Sequence, residues 1–88
     1  MQSRAQILLQ RVVASQELTV HELADELVVP PRMIGLYLSG ERPIPLARQL
    51  CLAKVVIERV PRLARHAYAL QGQVTAVASL DGFVDVGV

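Results

Sequence analysis

The sequence is poor in aromatic residues and in cysteine. Tyr37, Tyr68 and Phe83 are its only aromatic residues, 3% of 88, so the core is expected to consist of aliphatic side chains. The single cysteine, Cys51, excludes an intramolecular disulfide, and no Cys or His pair has metal-ligand spacing. These absences favour a reducing, cytoplasmic setting, and they lead us to expect neither a metal nor another cofactor.

Long apolar runs and catalytic motifs are missing as well. No apolar run approaches the roughly 20 residues that cross a bilayer, and no basic segment precedes an apolar one near the N-terminus, so neither insertion nor export is expected. Paired carboxylates in a pocket motif, a glycine-rich phosphate loop and a nucleophile with a nearby base are all absent, which predicts that the protein is not an enzyme. Nine Lys and Arg against eight Asp and Glu give a net charge of +1, which excludes a polyelectrolyte tail.

The sequence does have the length and the periodicity of one small helical domain. Ser3 with Gln6, and Thr19 with Glu22, fit the capping box that begins a helix. Prolines 31, 45 and 61 suit first helical turns, and apolar residues recur at helical spacing. The predicted helices are 3–15, 19–27, 31–38, 45–59 and 61–70.

Core positions follow from the same spacing. In the first helix the predicted buried stripe is Ala5, Leu8, Leu9 and Val12. In the fourth helix the predicted core line is Leu46, Leu50, Ala53 and Ile57. That line leaves further apolar residues uncovered, which together with the small size of the domain predicts a homodimer through Val55, Val56 or the segment 74–88.

Residues 73–88 form an apolar segment predicted to pack or dimerise beside a domain of residues 1–72. Gly72 suits a helix stop, and Asp81-Gly82 fits a two-residue hairpin turn between short strands. A helix continued to Leu80 is the alternative, because Leu70, Val74 and Val77 keep helical spacing. The basic part of the chain lies earlier, at residues 41–70, which carry six Lys or Arg and two Asp or Glu.

The two short helices at 19–27 and 31–38 have the layout of a helix-turn-helix. The stretch LTVHELADELVVPPRMIGLYLSGERPIP resembles the lambda-repressor and Cro type of this motif, with Leu23-Ala24 as the packed pair, Val29 and Ile34 joining the helices, Leu38 inward, and Ser39-Gly40 at the exit. The resemblance covers residues 3–60. It implies an all-α bundle of about five helices with an apolar C-terminal segment, and a bacterial or phage DNA-binding regulator.

The resemblance also implies a binding mode on double-stranded DNA. The helix at 31–38 would enter the major groove with Pro31 and Arg32 at its start and with Arg32 and Leu36 facing the bases, while Thr19 and Arg42 would hold phosphates. A protein this small would contact a half-site, which again predicts a homodimer.

Two departures from the family pattern leave a second function open. Val28 stands where the family usually has glycine, so an altered turn is expected. Pro30 and Pro31 stand where polar residues usually meet DNA. The alternative is therefore a protein-interaction module that keeps the helix-turn-helix fold and does not read DNA.

Overall fold

A computed structural model describes residues 2–86, with side chains described for residues 2–77, and this part of the chain is all-helical. Its five α-helices are α1 Arg4–Ser15, α2 Val20–Leu27, α3 Pro31–Ser39, α4 Leu46–Arg59 and α5 Ala64–Val86, with a turn of 3-10 helix at Pro61–Leu63. No strand occurs in these residues. The all-α prediction is confirmed. None of the described helices is long and apolar enough to cross a membrane.

The predicted starts of the first two helices are observed, whereas the fifth α-helix begins at Ala64 rather than at Pro61. The Ser3 hydroxyl accepts the Gln6 N–H at 3.1 Å, and Thr19 and Glu22 form the full capping box, in which each side chain accepts the other residue's N–H at 3.1 and 3.0 Å. Such caps satisfy N–H groups that have no partner inside the helix. Only the Ser3 half of the first predicted box forms, because the Gln6 side chain bonds elsewhere, as described below.

The hydrophobic core lies where the buried faces of the helices meet. The buried stripe of α1 is the predicted one, Ala5, Leu8, Leu9 and Val12. It packs with Leu23, Ala24 and Leu27 of α2, with Ile34 and Tyr37 of α3, and with Ala67, Leu70 and Val74 of α5. Burial of these aliphatic groups is the main favourable term in folding.

The predicted core line of α4 is correct only at Ala53. The buried residues of α4 are Leu52, Ala53, Val55 and Val56, while Leu46 is 40% exposed and Leu50 and Ile57 are only partly buried. Apolar residues occur on several sides of α4, and its neighbours α1, α2 and α5 decide which of them are buried. Val55 and Val56 are therefore buried inside the protein and cannot form a dimer interface.

The predicted hairpin is also wrong, because α5 continues through Gly72 and the Asp81-Gly82 pair to Val86. Glycine inside a helix costs only about 1 kcal/mol relative to alanine, and Val74, one turn after Leu70, is buried at 1% exposure. The core face of α5 thus extends past the predicted stop. Residues 87 and 88 of the predicted second strand lie outside the described residues.

Candidate nucleic-acid interface

The connection from α2 to α3 is a tight turn of three residues, 28–30. Val28 is left-handed, with φ 58° and ψ 51°, and the Val29 N–H donates to the Ala24 carbonyl at 3.0 Å. This is the arrangement in which glycine usually ends a helix. The expectation of an altered turn is wrong: valine adopts the left-handed conformation itself, with 74% of its surface exposed.

Helix α3 has one covered face and one open face. Ile34 and Tyr37 are buried, whereas Arg32, Gly35 and Ser39 are exposed. Tyr37, rather than the predicted Leu38, is the fully inward residue one turn after Ile34, and Leu38 is only partly buried against the core.

The apolar residues flanking the open face of α3 differ from each other. Met33 is partly buried and packs against the core, so it contributes little to the open face. Leu36 is partly buried as well, but it is not among the side chains that pack against the core. Arg32 and Leu36, one turn apart, therefore border the same solvent-facing surface, as predicted from the helical spacing.

Two glutamines of α1 hold the C-terminal end of α3. The side-chain amides of Gln6 and Gln10 donate to the Leu38 carbonyl at 3.1 and 3.0 Å, one of the carbonyls that a helix end leaves without an intrahelical partner. Sequence reasoning assigned Gln6 to a capping box and did not consider Gln10, so it missed this contact. The available signal was their spacing of four, which puts them on one edge of the buried stripe of α1.

The N-terminal end of α3 offers few backbone donors to a phosphate. Pro30 and Pro31 have no amide hydrogen, and the Met33 N–H donates to the Pro30 carbonyl at 2.9 Å. Arg32 has the first N–H of the helix. An anion at this end would therefore be held by the Arg32 guanidinium more than by the helix terminus.

Arg42 lies just beyond the other end of α3. Its backbone N–H donates to the Leu36 carbonyl at 3.3 Å, which fixes the loop against the helix. Its exposed side chain lines a cavity of about 170 Å³ together with Ser3, Gln6 and Gly40. Arg32 and Arg42 thus lie near opposite ends of α3.

Thr19 lies apart from this pair, at the start of α2. Its N–H, predicted to be available to a phosphate, donates to Glu22. This bond is the main reason why the pKa of Glu22 is lowered below its ordinary value. The Thr19 hydroxyl and the positive charge of Arg59 lower the pKa further. A phosphate bound here would have to share Thr19 with a carboxylate.

Two of the four basic residues of α4 and the following turn form ion pairs. Arg59 lies 3.2 Å from Glu22 and 3.7 Å from Glu26, and Arg62 lies 3.4 Å from Glu17. The acidic residues of α2 and of the preceding turn thereby neutralise part of the basic segment 41–70.

Comparison with known proteins found no match for this chain: no family model, no curated protein and no solved structure.

Proposed function

We propose that this protein is a sequence-specific transcription regulator of the lambda-repressor and Cro type that binds double-stranded DNA as a homodimer in the cytoplasm. Helix α3 would enter the major groove with Pro31 at its leading end, Arg32 and Leu36 would face base edges, and Arg42 would bind a phosphate. Thr19 would contribute a second phosphate contact by exchanging its bond to Glu22.

The observation that supports this proposal best is the open face of α3. The helix is held from behind by Ile34, Tyr37 and two glutamine bonds to its last turn, so its outer face is presented rigidly. An alanine side chain built at Gly35 would meet no atom within 4 Å. With no side chain at the middle of this face, the helix backbone can approach the floor of a groove closely.

The positions of Arg32 and Arg42 favour different roles for these two residues. Arg32 lies on the helix itself and can pair bidentately with a guanine edge. Arg42 lies in the loop, where a guanidinium meets the phosphate backbone more readily than a base. Base discrimination would then depend mainly on Arg32, with Leu36 contributing a contact to a thymine methyl group.

A protein-interaction module is the second candidate, and the composition of the same face favours it. Arg32 is the only charged residue of α3, and two prolines precede it. Val28 adds an apolar side chain that is 74% exposed at the adjacent turn. Exposed apolar surface of this kind commonly marks a protein contact.

The affinity of the full-length protein for random duplex DNA, measured by fluorescence anisotropy at several salt concentrations, tests the proposal. Phosphate contacts release counterions, so the logarithm of the association constant should fall linearly with the logarithm of salt, by roughly 0.9 per phosphate contacted. An absence of binding at low salt would reject the DNA-binding proposal and favour the interaction module. If random DNA is bound, selection from a random duplex library should then yield a preferred sequence.

A further inference from the structure

A basic groove lies between α1 and α5, away from the open face of α3. It has a volume of about 350 Å³ and is lined by Arg4, Ile7, Leu8, Arg11 and His66, residues that we call the α1/α5 groove. None of these five residues is acidic. Ile7 is 38% exposed, so the groove combines an apolar floor with two guanidinium groups.

The two helices run antiparallel along this groove. Arg4, the first residue of α1, donates from Nε to the Gln73 side-chain oxygen at 3.1 Å. Arg11, two turns later on α1, lines the groove with His66, two turns earlier on α5. The groove therefore runs parallel to both helices over about two turns, or roughly 10 Å, which is a shape that a helix or an extended segment can follow.

The end of the chain has the complementary chemistry. Residues 78–88, which we call the tail, have the sequence ASLDGFVDVGV, with two aspartates and no Lys or Arg. On a helix, Asp81 and Asp85 are neighbours one turn apart, and Val77, Leu80 and Val84 fall beside them. By its sequence, the tail supplies apolar residues and two carboxylates, which complement a groove with an apolar floor and two arginines.

The cover on the inner face of α5 decreases toward the tail. Leu70 and Val74 are 1% exposed, whereas Val77 is 41% exposed. The tail cannot fill the groove of its own protomer while α5 remains helical, because Gln73 already lies beside the first residue of α1 and the helix continues for 13 residues to Val86. That continuation extends about 20 Å beyond α1 rather than back along it.

We propose that the tail of a second copy of this chain docks in the α1/α5 groove, with its aspartates on Arg4 and Arg11 and its apolar residues on Ile7. The exchange is reciprocal, so the same contact forms twice around a two-fold axis, as in most homodimers. This inference rests on the homodimer of the proposed function and names its interface, which replaces the buried Val55 and Val56.

Charge reversal in the full-length chain tests the docking. Sedimentation equilibrium should show a dimer for the unchanged protein at tens of micromolar. Because like charges placed opposite each other oppose association, Arg11→Glu and the pair Asp81→Lys with Asp85→Lys should each raise the dissociation constant about tenfold or more. Combining Arg4→Glu and Arg11→Glu with the two lysine substitutions should recover most of the loss, since both pairs of facing charges are again opposite.

The matched control is Lys54→Glu, which makes the same change of charge at an exposed position of α4 and should leave the dimer unchanged. Circular dichroism should show equal helicity for all variants. A monomer at all concentrations, a dimer that ignores Arg11→Glu, or a combined variant without recovery would each overturn the inference. Binding of random DNA by the Arg11→Glu monomer separates this failure from failure of the proposed function, since phosphate contacts by α3 need no second copy.

Discussion

The Gln6 side chain bonds to a residue that lies 32 positions later in the chain: its amide donates to the Leu38 carbonyl at 3.1 Å. The same amide nitrogen lies 2.9 Å from the position that a side-chain carbon at Gly40 would occupy. Gly40 is left-handed, with φ 82°. Glycine at residue 40 suits the end of α3 because of its backbone angle, and its lack of a side chain leaves the Gln6 amide where it reaches the Leu38 carbonyl.

Alanine at the two glycines of this region should have opposite effects on stability. Gly40→Ala forces a left-handed alanine and displaces the Gln6 amide, so we expect the free energy of unfolding to fall by about 1 to 2 kcal/mol. Gly35→Ala is the matched control, because its new methyl group meets nothing and helix propensity should raise stability by about 0.5 to 1 kcal/mol. Urea denaturation measures both, and equal effects would contradict the assigned role of Gly40.

The local features of the fold could be predicted from the sequence because they depend on residues three or four apart. The stripe of α1 and the Thr19–Glu22 box were correct for that reason. The partner of Gln6 could not be predicted, because it is chosen by the packing of α1 on α3. The prediction of the buried face of α4 failed for the same reason. Leu46 and Val55 are both apolar, and only the positions of three neighbouring helices decide which of them is covered.

Val28 should be a source of strain at the turn before α3. A left-handed β-branched residue costs about 1 to 2 kcal/mol, and its side chain is 74% exposed, so little burial would be lost on removing it. Val28→Gly should raise the free energy of unfolding by about 1 kcal/mol after the greater chain entropy of glycine is subtracted. Val29→Gly is the control and should lower it, because Val29 packs against the core. A fall for both variants would show that the turn carries no strain.

The carboxylate of Glu22 should make stability depend on pH in the acid range. Its pKa is lowered in the folded protein from an ordinary value of 4.5, mainly by the bond from the Thr19 N–H. A lowered pKa gives stability that is complete above the unfolded value and is lost as the pH falls through the folded value. Glu22→Gln, which can still accept the Thr19 N–H, should therefore weaken the loss of stability as the pH falls from about 5 toward 3. Urea denaturation midpoints at several pH values measure this loss. An equal pH dependence in the unchanged protein and in Glu22→Gln would refute the prediction.

Site residues were predictable only where exposure follows from helical position. Arg32 and Leu36 could be assigned to the outward side of α3 once Ile34 was taken as inward. The commitment of the Thr19 N–H to Glu22 was implied by the capping box itself, because a box leaves no free N–H at the cap. The pairing of Arg59 and Arg62 with acidic residues at and before α2 depends on the packing of distant segments and could not be derived from spacing.

Arg32 and Arg42 of the candidate interface should differ in the part of DNA that they recognise. If Arg32 meets a base edge, Arg32→Ala should weaken binding to the selected sequence by about 1 to 3 kcal/mol and affect random DNA less. If Arg42 meets a phosphate, Arg42→Ala should weaken both equally and reduce the salt slope by about 1. Anisotropy titrations on both duplexes at several salt concentrations measure the difference. Equal behaviour of the two variants would remove the assignment of base reading to Arg32.

Leu36→Glu separates the two candidate functions at one residue. Leu36 does not pack against the core, so the variant should keep its helical signal, and its free energy of unfolding should change by no more than about 0.5 kcal/mol, as is usual for surface changes. On DNA, the new carboxylate would face the negatively charged groove and should abolish binding at the salt concentrations where the unchanged protein binds. Leu36→Met is the matched control, since it preserves an apolar side chain and should retain affinity. Unaltered DNA affinity in Leu36→Glu would mean that this face does not enter the groove, and it would leave the open face of α3 to a protein partner.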